Sequence, residues 1–140
     1  MISDNRSICI VGLGYIGLPT ASLLASKGFS VNGYDINSEV IDKINSGVPH
    51  FFEPDLEEIL SKSIKNNKFV AYKDIKESDI YIIAVPTPFK DSQDDYPSPD
   101  LSYVRNAVIS ICEHLKEGDI VIIESTCPVG TTDLMKQIIH

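Results

Sequence analysis

The first apolar run of the chain, residues 7–11, stops on three glycines spaced G-x-G-x-x-G, Gly12, Gly14 and Gly17. A helical periodicity then begins. Each glycine gives up side-chain packing and costs backbone entropy, so three within one short turn need a physical reason. The triplet alone is a weak signal. It gains force from context: a strand before it, a helix after it, and an acidic residue, Asp35, 18 positions beyond Gly17 at the end of a second apolar run. In that arrangement Gly12 makes the tight turn, Gly14 lets a pyrophosphate approach the backbone, and Gly17 lets the helix pack close to the strand. The helix N-terminus offers N–H groups and positive dipole to the phosphates. Asp35 would accept hydrogen bonds from the adenosine ribose hydroxyls and repel a 2′-phosphate, which favours NAD over NADP. A glycine turn that binds nothing, or one that binds FAD, shares the fingerprint.

The rest of the chain alternates in the same way. Helical periodicity from Tyr15 to Lys27 closes on Gly28, with Pro19 early enough in the helix for its missing N–H to be tolerated. Residues 30–34 form the second strand, Asn37 is placed to cap a helix stopped by Gly47, and a third helix carries Leu56, Ile59, Leu60 and Ile64. Residues 69–72 read as a weaker strand. Residues 79–85 and 119–125 read as strands buried on both faces, as a parallel sheet requires. Between them lie a Pro- and Asp-rich loop and a helix bearing Leu101, Val104, Val108, Ile111 and Leu115, and Thr131 is placed to cap a last helix. Strands alternating with helices predict a Rossmann-type α/β fold, a doubly wound parallel sheet with helices on both faces. The strand ends then carry "VGLG", "YD", "AVPTP" and "ESTCPVGT" to one edge of the sheet, where open α/β sheets bind ligands. Thr87 and Thr126 would add hydroxyls to the glycines and Asp35, although each threonine alone reads equally well as a turn residue.

Bulk properties exclude other classes. A chain of 140 residues is the size of one domain and can bury a core without staples. A formal charge of -8 with no Lys/Arg cluster argues against a nucleic-acid partner. The longest apolar runs are too short for a membrane span and the N-terminus lacks a signal-peptide pattern, so a cytoplasmic protein is expected. Cys9, Cys112 and Cys127 are dispersed and lack C-x-x-C spacing, which supports neither a metal site nor a disulfide framework.

Taken in order, "GLGYIGLP", the Asp after the second strand, "EPDL" at 53–56, "AVPTPF" at 84–89, "PDLSYV" at 99–104 and "ESTCPVGTT" at 124–132 resemble the UDP-sugar 6-dehydrogenases, above all their UDP-N-acetyl-D-mannosamine branch. The resemblance covers nearly the whole chain. It implies oxidation of a sugar C6 alcohol to a carboxylate with two NAD+ in succession, a cysteine holding the intermediate as thiohemiacetal and then thioester. It implies a UDP-sugar substrate, a homodimer and a place in nucleotide-sugar metabolism and polysaccharide biosynthesis; from the charge, the apolar runs and the cysteine spacing, no nucleic-acid, membrane or metal partner is expected. Carried over residue by residue, Tyr15, Ile16, Asp35, Thr87 and Thr126 match NAD-contacting positions, and Thr126 also matches a threonine near the catalytic water. The family's nucleophilic cysteine, lysine and asparagine have no counterpart in these residues. The resemblance therefore implies that 1–140 form the NAD-binding domain of a longer enzyme, inactive alone. A UDP-glucose enzyme and a stand-alone NAD-binding module are the competing readings.

Other residues invite blander readings. Cys127 sits at the expected ligand edge without a histidine base beside it in sequence, and reads as a small side chain in a turn. Cys9 and Cys112 fall on core-facing positions. His50, His114 and His140 are scattered and suggest no site. Glu53, before Pro54, could reach a ligand or start a helix, and Asp91, Asp94 and Asp95 read as a solvated loop over the cleft.

Overall fold

The computed structural model of the chain describes residues 5–90 and 96–140. The elements run β1 (Ser7–Val11), α1 (Gly17–Ser26), β2 (Ser30–Tyr34), α2 (Ser38–Asn45), α3 (Leu56–Lys65), β3 (Phe69–Tyr72), β4 (Ile80–Ile83), α4 (Ser102–Cys112), β5 (Ile120–Ile123) and α5 (Thr131–Ile139). The five strands form one parallel sheet in the order β3-β2-β1-β4-β5. Parallel neighbours need crossover connections, and the helices supply them. The result is the expected α/β doubly wound sheet.

Alternation along β1 divides the core in two, because successive side chains leave opposite faces of a strand. Ile8 and Ile10 pack with Val31, Phe69 and Ile82 beneath α1, α2 and α3, represented by Leu18, Ile44 and Leu60. Cys9 and Val11 pack with Tyr81 and Ile83 beneath α4 and α5, represented by Val104, Ile111 and Met135. Asn37 caps α2 as expected, its side chain accepting from Glu39 N–H and Val40 N–H. No helix among the described residues is long and apolar enough to cross a membrane.

Four expectations need correction. Helix α1 begins at Gly17 rather than Tyr15, because Tyr15 and Ile16 are used in the turn that leads into it. Strand β5 is not buried on both faces: Val121 and Ile123 pack against the second core, while Ile120 and Ile122 stay 42% and 44% exposed. It is an edge strand, at the opposite end of the sheet from β3, and no helix among the described residues lies over that face. Thr131 does not cap α5. It is the first helical residue, its hydroxyl donates to Pro128 C=O at 2.8 Å, and the cap position is Gly130. Leu101 and Leu115, expected on the α4 face, flank that helix and are half-buried beside it. Asp91, Asp94 and Asp95 lie outside the described residues.

Candidate functional site

The parallel register levels the strand ends. Val11 pairs with Tyr34 on one side and Ile83 on the other, and Ile83 pairs with Ile123. Gly12, Asp35, Ala84 and Glu124 therefore follow at one height along the carboxyl edge. The chain leaves β1 for β2 on one side, while β4 lies on the other, so the crevice opens where strand order reverses.

The three glycines do different things in this crevice. Gly12 has φ +94, and a Cβ there would stand 2.8 Å from Ala84 O. At Gly17 a Cβ would meet Gly12 O at 1.8 Å, so only glycine lets the helix begin this close to the strand end. Gly14 differs from both. Its φ is not in the left-handed region, and a Cβ there would have nothing within 4 Å. The folded chain itself does not require glycine at position 14, and the space above it is open.

Backbone donors surround that space. Gly12 N–H is used by Tyr34 O at 2.8 Å, and Leu18 N–H by Gly14 O at 3.1 Å. The N–H groups of Gly14, Tyr15 and Ile16 donate to no protein acceptor among the described residues. These donors belong to the glycine turn that leads into α1, next to the N–H groups that the first turn of any helix leaves unpaired. Residues 12–17 carry no charged side chain. An anion in the turn would be held by amide dipoles rather than ion pairs.

Asp35 is tied to the turn from the neighbouring strand. Leu13 N–H donates to its Oδ2 at 2.9 Å and Asn37 N–H to its Oδ1 at 2.9 Å. Each carboxylate oxygen keeps a further lone pair for an outside donor. Thr87 follows β4 half-buried, and Thr126 follows β5 exposed; neither hydroxyl is hydrogen-bonded to the protein among the described residues. Their loops are joined by Ser125, whose hydroxyl donates to Val85 O at 2.7 Å. Thus Gly12, Gly14, Tyr15, Ile16, Gly17 and Asp35 form one bonded unit, and Thr87 and Thr126 stand on a second unit along the same edge.

The thiols are not arranged for chemistry. Cys9 is fully buried in β1, and burial pushes its thiol up to about 12. Cys112 donates to Val108 O at 3.2 Å in the manner of a helix residue bonding its own preceding turn. Cys127 is half-buried, and no imidazole is hydrogen-bonded to it among the described residues. Glu53 is exposed, and its carbonyl accepts from Leu56 N–H at 3.2 Å, a helix-start role. His50, which no sequence pattern singled out, is brought to the turn: its Nε2 lies 2.6 Å from Leu13 O. The aromatic run His50-Phe51-Phe52 in a connection otherwise expected to be polar was the available signal. A hollow of about 750 Å³ opens behind the same loop, but Glu53, Asp55, Glu57 and Glu58 line it, so it suits phosphates poorly.

The crevice matches a known domain. Residues 6–140 match the UDP-glucose/GDP-mannose dehydrogenase family, NAD binding domain. The chain belongs to that family. An NDP-N-acetyl-D-galactosaminuronic acid dehydrogenase of Ralstonia nicotianae is 46% identical over 130 residues, 93% of this chain and 30% of that protein. A UDP-N-acetyl-D-mannosamine dehydrogenase of Pyrococcus horikoshii is 47% identical over 136 residues, 95% of this chain and 31% of that one. Among solved structures, the UDP-N-acetyl-mannosamine dehydrogenase Cap5O of Staphylococcus aureus superposes with a TM-score of 0.89 at 42% identity, over 95% of this chain and 32% of that one. The chain thus spans about a third of the length of these relatives. Its cofactor is NAD, and the open turn, free amides and Asp35 fit that group.

Proposed function

We propose that this chain holds NAD for a nucleotide-sugar 6-dehydrogenase that takes UDP-N-acetyl-D-mannosamine. The observation that carries the reading is the set of N–H groups of Gly14, Tyr15 and Ile16 that have no partner among the described residues, around an open glycine, with Asp35 bonded to the same turn. The turn amides would take the pyrophosphate, and the spare lone pairs of Asp35 the adenosine ribose hydroxyls. A 2′-phosphate would meet that carboxylate, which sets NAD above NADP. Thr87 and Thr126 would stand toward the nicotinamide half, Thr126 in a supporting role beside the reacting water.

When bound, NAD accepts hydride from carbon. Taking an alcohol to a carboxylate removes four electrons, which requires two NAD+ and one water and releases protons. Residues 1–140 form the cofactor domain, and the sugar-binding wall and nucleophile come from sequence such as the relatives carry beyond the matched third. The enzyme works in the cytoplasm, where free thiols persist, and as a homodimer. The Ralstonia relative, named for a different N-acetylated amino sugar, is nearly as similar as the Pyrococcus one, so this domain reads the cofactor rather than the epimer.

Calorimetry of the chain with NAD and NADP tests the cofactor assignment, and equal affinity for both would sink the role of Asp35. A panel of UDP-N-acetylmannosamine, UDP-N-acetylgalactosamine and UDP-glucose, followed by NADH absorbance with the full-length enzyme, tests the sugar. Preferential turnover of UDP-glucose would overturn the choice of substrate.

A further inference from the structure

Leu13 is the centre of the glycine turn, and both of its backbone polar groups are held by side chains from elsewhere in the fold. Its N–H donates to Asp35 at the end of β2. Its C=O lies 2.6 Å from Nε2 of His50, which belongs to the connection between α2 and α3. A carbonyl oxygen can only accept, so Nε2 carries the proton and donates. The same connection grips the turn a second time. Phe51 packs its ring on Tyr15 with centroids 4.6 Å apart, and His50 stands edge-on to Phe51 at 4.8 Å.

This contact has a geometric consequence. A trans peptide is planar, with its C=O and N–H antiparallel. Holding Leu13 C=O toward His50 therefore turns Gly14 N–H away from the 48–53 connection, and that N–H has no protein partner among the described residues. Gly14 has no side chain to restrict its neighbouring peptide planes, so without an external tie this peptide could rotate. Donors fixed before the ligand arrives avoid the cost of ordering them on binding.

We propose that His50 is a positioning residue for the cofactor: by donating to Leu13 C=O it fixes the 13–14 peptide and presents the Gly14 amide to the dinucleotide phosphates. The proposal rests on the NAD reading of the site. It assigns the α2–α3 connection a binding role that the glycine motif alone does not reveal.

The experiment compares His50→Phe, which keeps the ring but loses the donor, with His50→Gln, whose side-chain amide can reach the same carbonyl. NAD affinity is measured by calorimetry and stability by thermal melting. Loss of one preorganising hydrogen bond should weaken NAD binding about 5- to 10-fold in His50→Phe with little change in melting midpoint, and His50→Gln should recover most of it. Wild-type affinity in His50→Phe would overturn the proposal alone. Equal losses in both variants, each with a lowered melting midpoint, would make His50 merely structural. Failure of the wild-type chain to bind NAD would overturn the cofactor reading, and the proposal with it. Should His50→Phe not fold, the imidazole nitrogen spectrum of the wild type decides: a proton on Nε2 supports the assignment, and one on Nδ1 overturns it.

Discussion

Strands β1 and β5 lie in the same parallel sheet, end at the same edge and run into a loop and a helix, yet their surroundings are opposite. Every apolar residue of β1 from Ile8 to Val11 is buried, and its turn is locked by Gly12, Gly17, Asp35 and His50. The alternate residues of β5, Ile120 and Ile122, face outward; Thr126, Val129 and Gly130 of its loop are exposed, and the Thr87 and Thr126 hydroxyls hold no protein partner among the described residues. One bonded tie reaches from α1 to the end of β5, Thr20 Oγ1 to Glu124 Oε1 at 3.0 Å. The contrast assigns different tasks. The first loop is overdetermined before any ligand arrives, as a rigid anion cradle must be. The second keeps the Thr126 hydroxyl and the outer apolar face of β5 uncommitted among the described residues.

The most severe way to break this contrast is to add one methyl group to each loop. Gly17→Ala sets a Cβ 1.8 Å from a backbone oxygen, so strand end and helix start cannot both stay in place. We expect a loss of about 4 kcal/mol or more, or no folded protein. Gly130→Ala meets only the left-handed φ of +92 in open space, for a cost of about 1–2 kcal/mol. Urea denaturation of both variants reads the difference, and similar midpoints would abolish it.

The strands themselves offer the next comparison. Ile10→Ala empties a site with no exposure and should cost about 2–5 kcal/mol. Ile122→Ala removes a side chain already 44% exposed and should cost less than about 1 kcal/mol. If the two losses matched, the outer face of β5 would be covered in solution by something other than solvent.

What the sequence disclosed follows the same division. The glycine triplet and Asp35 were legible because their requirement is local: a turn, a helix start and one acid at a fixed distance, all within 24 residues of one another. The fold class was legible from alternation alone. The exposed face of β5 was not, because "IVII" is as apolar as the fully paired "IYII", and only the position of a strand in the sheet tells whether a helix covers it. Thr131 has the right residue type for a cap, but Gly130, already left-handed, takes the cap position. His50 was invisible because its partner is a backbone carbonyl 37 positions away, and any residue type can supply a carbonyl.

Ligand affinity should repeat the contrast at smaller scale. On the proposed NAD reading, Asp35→Ala would remove charged hydrogen bonds to the ribose as well as the tie to Leu13, and should weaken NAD about 10- to 100-fold. Gly14→Ala should leave the melting midpoint unchanged, since its Cβ meets nothing within 4 Å, yet lower NAD affinity, because that is the space in which we propose the pyrophosphate lies. Thr126→Val removes one neutral hydroxyl from the adaptable loop and should cost about 2- to 10-fold. Calorimetry on the three variants ranks them, and a larger loss for Thr126→Val than for Asp35→Ala would reverse the assignment of rigid and adaptable loops.

The smallest effect is absent at neutral pH and grows only in alkali. Cys9 sits in β1 with no exposure, and burial raises its thiol from the ordinary 9.0 to about 12. Below about pH 9 both folded and unfolded chains hold the proton, so the thiol adds no pH dependence. Between about 9 and 12 the unfolded chain has released the proton that the folded chain retains, so stability falls as pH rises, by about 1 kcal/mol at pH 10. Tyr81, packed in the same core, has its phenol raised chiefly by burial and loses stability in the same direction at still higher pH. The share of Cys9 is isolated by Cys9→Ala, which lowers stability at every pH through its cavity but should flatten the decline between pH 9 and 10. Urea midpoints at pH 7.5, 9 and 10 for both proteins measure this. An equally steep decline in the variant would show that the β1 thiol is not shielded as its burial requires. Maleimide labelling gives the matching control on the other strand: half-buried Cys127, in the loop after β5, should react in the folded protein while Cys9 does not.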